Sequence, residues 1–186
     1  MPSNEVFNPS DNSSIVTNSE FFYSCEFRGC DFSGTSFIDC SFENCTFLNC
    51  NLSNIRLHET KFFDTTFLEC KLIGITWPYS KIPSTFSASK CIFDFNIFSK
   101  CSLDSFSLTE CSFKEAFFQD SSARKCDFSR SEFSDARFEN CNLEKTIFYN
   151  TSNLFLDPDE NIVAGAKVPI DTALLMLKKY QIEIAE

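Results

Sequence analysis

The sequence predicts an all-β solenoid, a chain wound into stacked coils and finished by a C-terminal helix and a short strand. Three observations predict it: a strict five-residue period from Cys25 to Asn150, cysteines locked to one position of that period, and a tail without it. The period is plainest in Cys25-Glu26-Phe27, Cys30-Asp31-Phe32, Thr35-Ser36-Phe37, Cys40-Ser41-Phe42, Cys45-Thr46-Phe47 and Cys50-Asn51-Leu52. Each unit has a large apolar centre, a small residue two positions before it, and mostly polar residues elsewhere. A period of five fits neither the 3.6 of a helix nor the alternation of a flat strand. A repeat this regular takes precedence over local propensity.

Two inward positions in every five require the chain to turn a corner once per repeat. Four such sides close a square coil of about twenty residues, and stacked coils make a rod. The second residue after each centre carries the corner, reading Gly29, Gly34, Asp39, Asn44, Asn49, Asn54, Glu59, Asp64, Glu69 and Gly74 in the first block. That is largely the vocabulary of tight turns.

At 186 residues the chain is one domain's worth of core. A formal net charge of −10 argues against direct nucleic-acid binding, which needs clustered Lys and Arg, and favours a basic partner surface. No window approaches a membrane span and no basic stretch precedes an apolar run, so a cytoplasmic protein is expected. The eleven cysteines all stand two before a centre. They read as small buried core residues with free thiols, metal or disulfide chemistry being the alternative. Reduced thiols agree with a cytoplasmic setting.

In chain order, residues 1–20 are rich in Ser, Asn and Pro and read as a flexible or loosely attached leader. Phe21 and Phe22 are expected to plug the open end of the array. The repeat body spans 21–150. Its first block has centres from Phe27 to Trp77, its second from Phe93 to Phe148. Sixteen positions separate Trp77 from Phe93, so one residue is inserted within 78–90. That phase break, with Pro78 and Pro83, predicts a bulge or short loop, either neutral or touching a partner through Tyr79, Lys81 and Ile82. The body amounts to roughly six coils and a rod of roughly 29 Å. Phe106, where a small residue belongs, should distort its corner; Ala123, at a centre, should thin the wall. Past Asn150 the period stops, and 151–186 is a capping segment. Leu156-Asp157-Pro158 makes a turn, Val168 to Tyr180 a helix with Pro169 in its first turn, and Gln181 to Ile184 a strand. The apolar stripe Ile170, Ala173, Leu174 and Leu177 must cover a coil edge in the same chain or in a two-fold partner.

The repeat from Cys25 to Asn150 resembles the pentapeptide-repeat family, whose pattern is a small residue, Asp/Asn or similar, Leu or Phe, and two polar residues. The resemblance implies a right-handed quadrilateral β-helix. The length, the single phase break, and the tail resemble the gyrase-protecting members: quinolone-resistance, albicidin-resistance and microcin-immunity proteins. In the tail Leu156-Asp157-Pro158, Lys167-Val168-Pro169, Ala173-Leu174 and Leu177-Lys178-Lys179 are most similar to the microcin-immunity type. What the resemblance implies is a homodimer joined through Ile170, Leu174, Leu177, Ile182 and Ile184, binding bacterial DNA gyrase and its paralogue topoisomerase IV. The chain lacks the long inserted loop of the plasmid quinolone-resistance type.

No catalytic, metal or cofactor site is visible. The only histidine, His58, follows the centre Leu57 on an outward face without a paired nucleophile, and the four glycines form no phosphate-binding run. An enzyme is not expected. The partner-binding candidates are outward acids: Asp39, Glu59, Asp64, Glu69, Asp104, Glu115, Asp120, Asp135, Glu139 and Glu144. They are either ordinary solvated charge or a mimic of duplex DNA offered to a topoisomerase. Outward apolar residues Leu48, Leu68, Phe63, Ile73, Phe95 and Phe117 are either contact sites or packing overflow. A scaffold for an unrelated protein partner is the alternative function.

Overall fold

The computed structural model describes residues 2–9, 18–77 and 84–182. They form a four-sided parallel β-solenoid, with about six turns of regular repeat, ended by one helix, Ile170–Lys179. All strand pairs are parallel, with partners twenty residues apart before the phase break and again after it. Four columns of centres define four faces. Face A carries Phe22, Phe42, Phe62, Leu103, Ala123 and Leu143; face B carries Phe27, Phe47, Phe67, Ala88, Leu108, Phe128 and Phe148. Face C carries Phe32, Leu52, Leu72, Phe93, Phe113 and Phe133; face D carries Phe37, Leu57, Trp77, Phe98, Phe118 and Phe138.

The corners explain the period. Each of the ten first-block corner residues has φ between 46° and 69°. Eight of their amides donate to a carbonyl of the next coil, as Asp39 does to His58 at 2.8 Å and Gly29 to Leu48 at 2.8 Å, and the Asp64 amide to the Thr85 hydroxyl at 2.9 Å. The left-handed residue turns the chain without orphaning a backbone donor. The small position has its own chemistry. Its side chain donates to the carbonyl of the centre in the preceding coil: Cys50 Sγ to Phe27 at 3.2 Å, Thr65 Oγ1 to Phe42 at 3.1 Å, Ser131 Oγ to Leu108 at 3.1 Å. Cys, Thr and Ser are interchangeable there because each is small and carries one donor. All eleven cysteines are free thiols, ten of them buried. Burial pushes the Cys45 and Cys101 thiols up to about 11.

The centres fill the rod with stacked rings. Phe22, Phe42 and Phe62 follow one another at 5.0 and 5.3 Å, and Phe98, Phe118 and Phe138 at 4.7 and 4.5 Å, near parallel. Contacts between columns are edge-on, as for Phe22 and Phe27 at 75°, or tilted, as for Phe93 and Phe98 at 46°.

Several expectations change at the ends. Phe22 is an ordinary centre within Phe21–Tyr23, a strand paired with Ser41–Glu43, and not a plug. The outer rung is Val6–Phe7, paired with Glu26–Phe27, and the Phe7 ring stacks on Phe27 at 4.9 Å. The beginning of the leader is therefore part of the rod. At the other end the period resumes: Ile162 and Lys167 bridge to Asn142 and Ile147, Gly165 turns a corner at φ 70°, and Val163 and Val168 pack on the core. Face B thus carries nine rungs from Phe7 to Val168, a length of about 38 Å at the usual strand spacing. The helix begins at Ile170 with Pro169 as its cap, since Lys167 and Val168 are committed to a rung. Of the expected strand, Gln181 is a left-handed turn residue whose amide reaches Lys178 at 3.0 Å, while Glu183 and Ile184 lie outside the described residues.

The phase break is absorbed before Phe86. Across it partners are twenty-one apart, Phe67 opposite Ala88 and Trp77 opposite Phe98. Tyr79, Lys81 and Ile82 lie outside the described residues. Just after the break face B exchanges bulk between positions: Ala88 is the centre, and the inward Phe86 meets Phe106 at 4.8 Å. This exchange leaves room for Phe106, so its corner is undistorted: Ser105 has φ 65° and the Phe106 amide reaches Leu103 at 3.1 Å, the same distance as Ala116 to Phe113. Nor is the wall thin at Ala123, which is 3% exposed and whose carbonyl accepts the Thr146 hydroxyl at 2.6 Å. Two buried donors beside the break, Trp77 Nε1 and Asn96 Nδ2, find no acceptor among the described residues.

Candidate interaction surface

Outward side chains come from the two positions flanking each centre and from the corners, so a residue's place in the coil fixes its side of the rod. Asp39, Glu59 and Asp120 stand on the edge between faces D and A, Asp64 on the A/B edge, Glu69 on the B/C edge, and Glu115 and Asp135 on the C/D edge. Asp104 and Glu144 lie on face A and Glu139 on face D. The ten carboxylates are distributed around the rod and do not gather on one face.

Their environments also differ. Asp104 Oδ1 is used within the rod, accepting from Ser122 Oγ at 2.5 Å and the Arg124 amide at 2.8 Å. Glu144 holds Arg124 at 3.1 Å. Asp120 accepts Asn140 Nδ2 at 2.6 Å and Asp39 the Ser19 hydroxyl at 3.3 Å. Among acids outside that set, Glu110 holds Arg130 at 2.9 Å and Glu132 holds Lys114 at 3.0 Å. Hydrogen bonds from Ser134 and Lys114 keep the Glu132 carboxyl below its ordinary value. Glu59, Glu69, Glu115, Asp135 and Glu139 carry no side-chain hydrogen bond or ion pair among the described residues.

The helix sits on the last coil through few contacts. Thr172 is its one buried residue, donating from Oγ1 to the Leu154 carbonyl at 3.2 Å, and Met176 packs against the core. Lys179 pairs with Asp157 and, at 2.9 Å, with Asp159, while Tyr180 donates to Asp159 at 2.6 Å. Lys179 holds the Asp157 carboxyl below its ordinary value. The predicted apolar stripe faces away from the rod: Ile170 is 80% exposed, with Leu174, Leu177 and Ile182 all more than a third exposed.

A second surface was not anticipated. Where the helix meets the C/D edge there is a groove whose floor is Phe133, Ala136 and Leu154 and whose rim includes Glu115, Asp135, Arg137, Phe155, Asp171 and Leu175. Below it along the same edge lie Phe95 and Ile97, 53% and 40% exposed, and Phe117, whose ring carries the Arg137 guanidinium at 4.8 Å. Phe117 and Phe95 were legible as outward apolar residues. Phe155 and Asp171 were not, because one precedes the resumed rungs at Ile162 and Lys167 and the other follows them, outside any repeat position.

His58 is exposed on face D, and its ring carries no hydrogen bond among the described residues. No three His, Cys, Asp or Glu side chains among the described residues converge as a metal site would require. Among the described residues, no helix is long and apolar enough to cross a membrane.

Two family profiles cover most of the repeat body: a pentapeptide repeat region matches residues 21–92, and pentapeptide repeats in nine copies match 103–154. The chain belongs to the pentapeptide-repeat family. Solved structures similar to this pentapeptide-repeat protein include QnrB1, a plasmid-mediated fluoroquinolone resistance protein. One trypsin-treated variant of QnrB1 aligns with TM-score 0.61 at 21% identity, covering 99% of this chain and 97% of that one. A second trypsin-treated variant aligns with TM-score 0.56 at 20% identity and the same coverage. A search among curated protein sequences finds no match.

Proposed function

We propose that this pentapeptide-repeat protein is a non-enzymatic, cytoplasmic homodimer that binds bacterial DNA gyrase, and topoisomerase IV as its paralogue. It thereby protects the enzyme from a topoisomerase poison, whether a quinolone, albicidin or a microcin-type peptide. The observation that carries the reading is end-to-end similarity in fold to a fluoroquinolone resistance protein, with nearly the whole of each chain aligned. The exposed stripe Ile170, Leu174 and Leu177 supports the dimer, since three large apolar side chains on one helix face are costly to leave in water. A second copy related by a two-fold axis would cover them and join two rods end to end.

Mimicry of DNA by charge needs a magnitude. Two rods of about 38 Å make about 76 Å, over which duplex DNA carries about 45 charges at one per 1.7 Å. The dimer would carry −20, twice the formal −10 of the chain. Charge alone therefore does not compete with DNA, and specific contacts must add to it. A scaffold for an unrelated protein is the second reading, favoured by the spread of carboxylates over all four sides.

The test is gyrase supercoiling with purified protein, with and without each poison. Rescue under at least one poison is expected; no rescue, with no capture of gyrase, overturns the reading in favour of the scaffold. Sedimentation checks the dimer: the native chain should run as a dimer and Leu174→Asp with Leu177→Asp as a monomer of unchanged circular dichroism. A monomeric native chain would overturn the two-fold assembly.

A further inference from the structure

We propose that the C/D edge and its groove form a docking site for a basic amphipathic segment of a partner protein. The inference rests on the reading that this chain works by binding another protein, and it names where and with what chemistry.

Three independent observations meet on this edge. The first is apolar exposure. Phe95, Ile97, Phe155 and Leu175 are each at least 40% exposed, the first two at mid-rod and the last two at the groove beside the helix, with the Glu115 and Asp135 corners between them. Large apolar side chains left exposed at both ends of one edge, interleaved with carboxylates, mark a binding surface.

The second is backbone strain. Among the described residues, Phe95 is the only aromatic residue at a left-handed corner, with φ 60°. Gly, Asn or Asp fill such corners at little cost, whereas a bulky side chain there is a conformational outlier. Its ring, 53% exposed, recovers only part of the burial that would offset that. A strained, exposed aromatic fits a contact residue held ready for a partner.

The third is charge left open. Elsewhere in this half of the rod Glu110, Glu132 and Glu144 hold Arg130, Lys114 and Arg124. On the C/D edge Glu115 and Asp135 hold no cation among the described residues, and Asp171 accepts only the Thr172 amide at 3.0 Å. Arg137, the one cation lining the groove among the described residues, is turned onto Phe117. Carboxylates on an apolar floor suit Lys or Arg side chains, whose stems cover apolar surface while their heads pair with the acids. An acidic or purely apolar occupant would leave these charges unpaired.

The site is compatible with a two-fold dimer. Asp171 and Leu175 lie one turn apart on the flank of the helix, between the rod-facing Thr172 and Met176 and the outward Ile170, Leu174 and Leu177. Pairing of helices through the outward stripe leaves the groove open.

The test uses the full chain and a fluorescent synthetic peptide alternating Lys or Arg with Leu or Phe, read by anisotropy. Glu115→Gln with Asp135→Asn should weaken binding at least tenfold, and Phe95→Ser with Phe155→Ser should do likewise. Glu59→Gln with Glu69→Gln, which removes the same charge from other edges, should leave it within twofold. Equal weakening by both charge pairs, or no binding to the native chain, overturns the proposal; thermal melts confirm that each variant is folded. The outcomes separate from those of the gyrase reading. Peptide bound at this edge without rescue of supercoiling sinks the gyrase reading alone. Rescue with peptide binding unaffected by Glu115→Gln and Asp135→Asn sinks the docking site alone.

Discussion

The two halves of the rod solve the same geometric problem with different side chains. Before the phase break the left-handed corners from Gly29 to Gly74 are mostly Gly, Asn or Asp. After it they include Phe95, Lys100, Glu110, Glu115, Lys125, Arg130 and Lys145, all with φ between 53° and 60°. The backbone is the same in both halves because a corner amide is bonded to the next coil whichever side chain it carries: Asn49 to Leu68 at 2.9 Å, Arg130 to Tyr149 at 2.8 Å. Long charged corners are strained by about 1 kcal/mol each. In exchange the second half acquires an ion pair between corners of neighbouring coils, Arg130 with Glu110, beside the pair of Arg124 with Glu144 on face A, whereas among the described residues the first half has only Arg28 with Glu26 inside one strand. The coil therefore depends on corner geometry and inward packing, which frees the corner side chain for the surface.

The shared core offers the severest test of this equivalence. Phe42 lies between Phe22 and Phe62, and Phe118 between Phe98 and Phe138, all in near-parallel stacks. Phe42→Ala and Phe118→Ala should each cost about 3 to 5 kcal/mol, measured by denaturant unfolding. A silent change in one half alone would mean that the halves are not equivalent inside.

The buried thiols, found in both halves, give an intermediate effect. Burial raises the Cys45 and Cys101 thiols from 9.0 to about 11. Between those values the unfolded chain has lost protons that the folded chain keeps, so stability falls as pH rises from about 9 to about 11. In reductant, Cys45→Ser with Cys101→Ser should make that decline shallower without removing it, because the Cys50, Cys70, Cys91 and Cys126 thiols are raised as well. An undiminished decline would place the titrating groups elsewhere.

A finer measurement bears on the corners themselves. Lys125→Asn should stabilise by a few tenths of a kcal/mol and Asn49→Lys should destabilise by a similar amount, since Asn tolerates the left-handed region better than Lys. Equal and opposite shifts in melting temperature are the expected result; shifts of one sign would show that the corners differ in more than strain.

Most of the rod was legible because inward positions recur at fixed spacing and their chemistry is redundant. Cys, Thr and Ser all donate to the same carbonyl, and Phe and Leu both fill a centre. The rungs missed were those where one mark of the pattern fails. Phe7 has Glu5 at the small position, and Val163 and Val168, although in phase with Phe148, follow Asn153 and Pro158 where centres belong. The chain there leaves the repeat for the turn at Asp157 and returns through bridges at Ile162 and Lys167. Phe106 and Ala123 were misjudged because volume in a core is a sum over neighbours.

Sequence was enough for the period, the inward set of residues, the left-handed corners and the stripe of apolar residues on the tail helix. These are local consequences of a chain that must turn every five residues and bury two of them. Which outward residues share an edge was settled by packing in three dimensions. The one-residue phase break brings the C/D edge to Phe95, Glu115 and Asp135, and the docked helix brings Asp171 and Leu175 to the same groove. Residues separated by twenty, twenty-one or more positions become neighbours through coil registry and helix docking, and neither is a property of a short stretch of chain.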